Sequence, residues 1–404
     1  MPQPVSMPLH VYVHFPWCLA KCPYCDFVSY PLAAEQIEHE RYTNAVLAEL
    51  DRRAAHLEAQ GFRPTLETVF VGGGTPSLWE PTQLARLITA LRARFGSGNS
   101  GCDHEIEITA ECNPSSLDLE RARALREAGI NRVSVGIQSL DTERLKFLGR
   151  LHDERGGLRA LEDAQKAGFQ RVSGDLIYGV AGQSVDDAAR EVSRVIDTGC
   201  THISAYNLTI EQGTRFGELA KKSRLPIAPE EGMVDSFFAI HETLSKRGLG
   251  HYEISNYAVS GAESRHNLAY WRGRFYLGLG SAAVGALPVS NAERTHPTAL
   301  RYRNTPNPMQ YMRAARSTEH GSLHEASELV DWVEELGPEE RLRERIMLGL
   351  RLAEGLDLEQ AARDVGAIAF TKERERTIER LVQRGRLERD GGAFAVPLSS
   401  WSLC

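Results

Sequence analysis

A chain of 404 residues has room for about two to three domains. Its 42% hydrophobic and 25% charged residues exclude a disordered chain, and 35 glycines and 18 prolines exclude a collagenous or low-complexity one. The net charge of −7 suits a soluble protein and has the wrong sign for one whose main work is neutralising nucleic-acid phosphates.

The opening MPQPVSMPLHVYVHFP has neither the basic start nor the small-residue cleavage site of a secretory signal. No apolar run is long enough to span a bilayer, so a cytoplasmic protein is expected. From the start to about residue 210, β-rich runs at 9–15, 67–73, 105–111, 132–138, 171–179 and 202–210 alternate with amphipathic helix patterns such as 35–57, 80–95 and 184–199. This is an α/β pattern. Six strand-helix units build either an incomplete (β/α)6 TIM-type barrel or a doubly wound sheet, and both place chemistry at the carboxyl ends of the strands. The stretch 211–320, with a helix pattern at 230–248 and the runs HYEISNYA, RHNLAYWRG and YLGLGSAAVGAL, reads as a distinct and partly irregular layer. From about 325, helix-patterned text, a further helix at 371–385 and a hairpin-like end at 387–398 outline a winged-helix-like module. The mixed charges of TKERERTIERLVQRG mark a solvated face more than a DNA-binding one.

Seven cysteines are too few for a disulfide scaffold. Cys102, Cys112, Cys200 and Cys404 are scattered and read as small apolar residues or a tail thiol, whereas Cys18, Cys22 and Cys25 form the cluster CLAKCPYC. Three thiolates on one short loop after a strand point to a metal centre. Structural zinc wants a fourth ligand, for which His14 or Asp26 would have to serve, whereas an iron–sulfur cluster held by three cysteines keeps one iron open for chemistry. At the end of the second strand, VGGGTPS lets backbone groups approach a ligand closely. Glu111, Gln138 and Asp175 are polar residues at or near strand ends, each with an ordinary reading as a capping or satisfied buried group, but all on the face where barrel chemistry collects.

The spacing C-x3-C-x2-C, with an aromatic before the third cysteine, resembles the signature of the radical S-adenosylmethionine (SAM) superfamily. The resemblance implies a [4Fe–4S] cluster on Cys18, Cys22 and Cys25. Its open iron would chelate S-adenosylmethionine, and reductive cleavage would give a 5′-deoxyadenosyl radical, with electrons from a donor such as a flavodoxin or ferredoxin. It also implies S-adenosylmethionine contacts at Tyr12, Tyr24, Gly73, Gly74, Thr75, Glu111, Gln138, Arg150 and Asp175. More narrowly, VHFPWCLAKCPYCDF, VSVGIQSLD, DLIYGVAGQS, HISAYNLTIEQGT, YEISNYA and RHNLAYW resemble the group containing oxygen-independent coproporphyrinogen III oxidase and the HemW-type haem chaperones. The match runs from about residue 9 to the end of the chain. The oxidases carry a fourth cysteine where this chain has Phe27, and a long segment ahead of the cluster motif for which Cys18 leaves no room. The chaperones carry H-N-x-x-Y-W, present here as His266, Asn267, Tyr270 and Trp271.

An imidazole is a common axial ligand of haem iron, aromatic rings pack on a porphyrin face, and Arg265, Arg272 and Arg274 are near enough in sequence to pair with propionates. The plain alternative is a surface turn with a hydrogen-bonded histidine. One departure stands out: where the chaperones continue with a glycine-alanine-histidine-glycine turn, residues 280–285 read GSAAVG, without a histidine. Haem would then have a single imidazole or another partner. The implied protein is a haem chaperone that hands haem to an acceptor protein, its cluster acting as a redox-sensitive controller. The rival is oxidative decarboxylation of coproporphyrinogen III. The division expected is a radical SAM partial barrel over 1–215, a linking and haem-motif region over 216–325 and the winged-helix-like domain over 326–404.

Overall fold

The computed structural model describes residues 5–96, 105–290, 298–317 and 326–403. Cys102 and Cys404 lie outside the described residues. The six expected strands form as Val5–Phe15, Phe62–Gly73, Glu107–Cys112, Arg132–Gln138, Arg171–Tyr178 and His202–Asn207. They are neighbours in chain order and every pairing is parallel. A doubly wound sheet would reverse the strand order part-way, so the winding is that of the partial barrel. The chain between successive strands returns through helices, including His39–Ala59, Pro81–Phe95, Leu119–Glu127, Glu154–Lys166 and Val185–Asp197.

Strand alternation divides the barrel into a dry outside and a polar inside. On Arg132–Gln138, Val133, Val135 and Ile137 are buried in the main hydrophobic core, while Arg132, Ser134, Gly136 and Gln138 line an internal cavity. The next strand repeats this with Val172 and Leu176 in the core and Asp175 on the cavity. After it, Ile203 and Ala205 pack outward while His202, Ser204 and Tyr206 face in. Ordinary TIM barrels fill that interior with branched apolar side chains. Here that interior is partly polar and encloses a cavity.

The segment expected as a separate layer over 211–320 instead extends the same sheet at both edges. Asn256–Ala258 and Gly250–Glu253 add antiparallel strands beside His202–Asn207. At the other edge Tyr276–Leu279 pairs parallel with Val5–Phe15, and Val284–Val289, Thr298–Asn304 and Val330–Leu336 continue antiparallel, giving twelve strands. Periodicity identifies a strand but not the edge it joins, which is why the sequence showed an irregular layer. The glycine turn at Gly280 is pinned from within: Gly280 N–H donates to Glu49 and Ser281 N–H to the Tyr42 hydroxyl, while Glu49 also holds Arg53, Asn304 and Tyr311. Glu49 and Arg53 are fully buried, yet each is paired and hydrogen-bonded, the condition under which buried charge is tolerated.

Beyond the sheet, helices Pro338–Gly349, Leu358–Val365 and Lys372–Gln383 precede a short ribbon, Glu388–Asp390 with Ala393–Ala395, whose inner strand also pairs with Leu356–Asp357. This region has its own core around Leu342, Leu358, Val365, Leu387 and Phe394. The Lys372–Gln383 helix contributes no fully buried residue, in keeping with a solvated face.

Candidate functional site

A cavity of about 450 Å³ opens at the carboxyl ends of the barrel strands. Cys18, Cys22 and Cys25 line its mouth, all as free thiols. Among the described residues, no three His, Cys, Asp or Glu side chains surround a single-ion site. Three thiols lining one cavity are a donor set of the kind that holds an iron–sulfur cluster. Cys22 Sγ lies 3.5 Å from Arg150 Nη1. Burial raises the thiol pKa values of Cys18 and Cys25.

The glycine turn is demanded by the cluster loop as well as by any ligand. Gly74 N–H donates to the Phe15 carbonyl and Thr75 N–H to that of Trp17, which straps the turn to the loop. A Cβ on Gly74 would meet the Trp17 carbonyl oxygen at 2.4 Å. Gly73 has φ +112°, and a Cβ there would meet the His14 ring at 2.6 Å. His14 is held in turn, with Nε2–H donating to the Val28 carbonyl and Nδ1 accepting from the Tyr12 hydroxyl. Gln138, whose positive φ of 65° is strained for a non-glycine residue, closes a register shift at its strand end.

Glu111 accepts from Gly73 N–H at 3.1 Å. Desolvation pushes its pKa up to about 7, against that hydrogen bond, and nearby Asp175 adds to the rise. Asp175 is also raised by burial, although Ser134 and Ser173 both donate to it. Ser173 further meets His202 Nδ1, and His202 Nε2 meets the Tyr252 hydroxyl. Of the residues expected to contact S-adenosylmethionine, Tyr24, Gly73, Gly74, Thr75, Glu111, Gln138, Arg150 and Asp175 all line this cavity. Tyr12 does not. It faces the barrel interior, stacked on Phe70 of the first cavity, but its own side chain lines a second cavity of about 690 Å³.

The HNxxYW segment forms the helix Arg265–Trp271, capped by Ser264. Its first backbone N–H groups, of Arg265 and His266, donate to the carboxylate of buried Glu107 at the base of its strand. His266 Nδ1 is 2.8 Å from the Thr68 hydroxyl, which also meets His10, and its ring stacks on Phe70. With Nδ1 occupied, Nε2 is the nitrogen left to meet a ligand. Desolvation lowers the His266 pKa to about 3, so the ring is neutral near pH 7. His266 and Tyr270 line the second cavity, whereas Trp271 packs near Arg351 and Asn267 faces the first. Of the three arginines expected near haem, Arg274 alone lines the second cavity; Arg265 pairs with Glu67 and Arg272 with Glu354.

Comparison with known proteins accords with this geometry. The radical SAM superfamily model matches residues 12–194, and the HemN C-terminal domain model matches residues 336–403. The "Heme chaperone HemW" of Escherichia coli is 36% identical over 313 residues, 77% of this chain and 79% of that protein. The protein of the same description from Mycobacterium tuberculosis is 35% identical over 87% of this chain and 84% of its own length. The chain belongs to the HemW family within the radical SAM superfamily. A Bacillus subtilis HemW is 30% identical over 88% of this chain and 86% of its own. The solved coproporphyrinogen III oxidase HemN of Escherichia coli, 20% identical, superposes with a TM-score of 0.76 over 100% of this chain and 88% of that one, and so shares the fold.

In this HemW-family chain several cavity residues escaped the sequence reading. Ser134, Ser204, Tyr206 and Asn207 line the first cavity, as does buried Arg132, whose Nε and Nη2 find no partner among the described residues. Period-two polarity on otherwise apolar strands is the signal that marks most of them.

Proposed function

We propose that this protein is a haem chaperone of radical SAM fold that binds haem and passes it to an acceptor protein. The observation that carries the reading is the match to curated haem chaperones at 30–36% identity over most of both chains. In this reading Cys18, Cys22 and Cys25 hold a [4Fe–4S] cluster and the 450 Å³ cavity takes S-adenosylmethionine. When bound, the cluster supplies an electron and an open iron for the amino and carboxylate groups of S-adenosylmethionine. The chain's own residues position that ligand. Gly73, Gly74 and Thr75 bring backbone close to its methionine end, and Glu111 faces its ammonium. Arg150, beside Cys22, faces a carboxylate, while Gln138 and the serine-held Asp175 accept from ribose hydroxyls. Tyr24 packs on the adenosyl part, and Tyr12, facing the barrel interior beside Gly72, supports the glycine turn through His14. His266 would hold the haem iron and Tyr270 would pack against the porphyrin, while Trp271, near Arg351, holds the motif helix to the C-terminal region.

The radical SAM barrel is read as 1–215, the haem-motif region as 216–325 and the C-terminal winged-helix-like domain as 326–404, its first strand, Val330–Leu336, completing the main sheet. The electron donor is of flavodoxin or ferredoxin type and the setting is the cytoplasm. Among the described residues no helix is long and apolar enough to cross a membrane.

Phe27 stands where the oxidases carry a fourth cysteine, and its exposed side chain lines both cavities. Anaerobically reconstituted protein, given reductant, S-adenosylmethionine and coproporphyrinogen III, is therefore expected to leave the porphyrinogen unchanged and to bind haem stoichiometrically. Formation of the decarboxylated product with 5′-deoxyadenosine would replace the chaperone reading with the oxidase one.

A further inference from the structure

The second cavity carries an unusual charge. Although the chain is net negative, this cavity is lined by five arginines, Arg274, Arg301, Arg303, Arg341 and Arg345, against two carboxylates, Asp26 and Glu344. Arg301 is committed to Glu344 and Arg345 to Asp364, while Arg303 reaches Asp331 only at 3.8 Å. Arg274 is exposed and makes no ion pair among the described residues, its charge reaching Asp364 only at longer range. Arg341 is buried, with its guanidinium 4.5 Å above the Phe275 ring. Burial and nearby Arg345 pull its pKa down to about 10. Clustering cations this way is costly unless an anion completes the site.

The remaining walls are apolar and come from opposite sides. Val284, Ala286 and Ala299 belong to the sheet extension, and Met347 and Leu348 to the Pro338–Gly349 helix. A ligand for this space is therefore largely apolar and carries acidic groups. At about 690 Å³ the space suits a molecule larger than a small metabolite. His266 and Tyr270 stand on one wall, and the cluster-loop residues Asp26 and Phe27 divide it from the first cavity.

We propose that the second cavity is a porphyrin seat separate from the S-adenosylmethionine cavity, in which Arg274 and its arginine neighbours hold the propionate carboxylates. This rests on the haem reading above and adds where haem sits and what recognises its acidic edge. Both ligands then bind at once, on opposite sides of Phe27. Ion pairing by Arg274 does not depend on iron, whereas ligation by His266 does.

The test uses full-length, cluster-loaded protein under anaerobic conditions, titrated with iron(III) protoporphyrin IX, metal-free protoporphyrin IX and the dimethyl ester of each. Arg274→Gln is expected to weaken both free acids about tenfold while leaving the esters unchanged. His266→Ala is expected to weaken the iron form alone. Met347→Trp, at a position 53% exposed and so tolerant of the larger ring, is expected to weaken all four ligands with unchanged melting and unchanged S-adenosylmethionine binding. If the wild type binds haem and both Arg274→Gln and Met347→Trp bind every porphyrin as it does, the seat is elsewhere and this inference falls while the chaperone reading stands. If the wild type binds no iron porphyrin, the chaperone reading itself falls.

Discussion

The two cavities share Asp26 and Phe27 as a common wall, yet the chain assembles them in opposite ways. The first draws on the ends of consecutive parallel strands and the loop that follows the first of them. The second joins the Arg265–Trp271 helix, the antiparallel extension of the sheet and the Pro338–Gly349 helix. A cavity made at strand ends inherits its position from the barrel. One made between an edge extension and a packed helix exists only once distant segments have met.

The comparison breaks most completely at the cysteines. Cys22→Ala or Cys25→Ala is expected to abolish the visible absorption of the reconstituted cluster with little change in melting, because these half-exposed loop residues contribute little core burial. Loss of the global fold would make the loop a structural element instead. A smaller loss is expected for Gly74→Ala. Its new methyl would press on the Trp17 carbonyl and destabilise the fold by about 1–3 kcal/mol, measured by denaturant titration.

Glu111 sharpens the first cavity through pH. The ammonium of S-adenosylmethionine pairs with the ionised carboxylate, so affinity is expected to fall about tenfold between pH 8 and pH 6, as Glu111 takes up a proton around pH 7. In Glu111→Gln the affinity is weaker and this pH step is absent, as calorimetry would show. The sign for stability is the reverse. The folded pKa is raised, so the contribution of Glu111 to the ligand-free fold is present at low pH and lost as pH rises through about 7. Glu111→Gln should accordingly stabilise the ligand-free protein at pH 8, by on the order of 1–3 kcal/mol. The smallest effect is expected at the shared wall, where Phe27→Ala should weaken both S-adenosylmethionine and haem about threefold by removing apolar contact from each. An effect on one ligand alone would separate the cavities more fully than their shared lining implies.

Much of the first cavity was legible because its signals are local. The cysteine spacing, the glycine run and the isolated polar residues at strand ends each sit within a few positions, and they converge once six strands wind in order. Tyr12 shows the limit. Alternation turns it inward, stacked on Phe70 of the first cavity, yet its side chain lines only the second, because the barrel interior is divided between the two cavities by segments distant in the chain. The arginines show the limit more sharply. Proximity in sequence put Arg265, Arg272 and Arg274 beside haem, yet the first two pair with Glu67 and Glu354, and Arg301, Arg303, Arg341 and Arg345 arrive from strands and a helix whose edge and packing no local pattern encodes. The glycine turn without a histidine was visible in sequence. Its anchoring through Glu49, Tyr42 and Asn304 was not, because those partners lie far from it along the chain.

Haem held through the motif helix of this radical SAM protein is open to a direct test. The most direct measurement is an anaerobic haem titration of cluster-loaded protein followed by absorbance, wild type beside His266→Ala. Saturation near one haem per chain is expected, with the iron's absorption bands shifted and the affinity reduced in the variant. Haem binding that is identical in both, or absent from folded, cluster-loaded wild type, would contradict it.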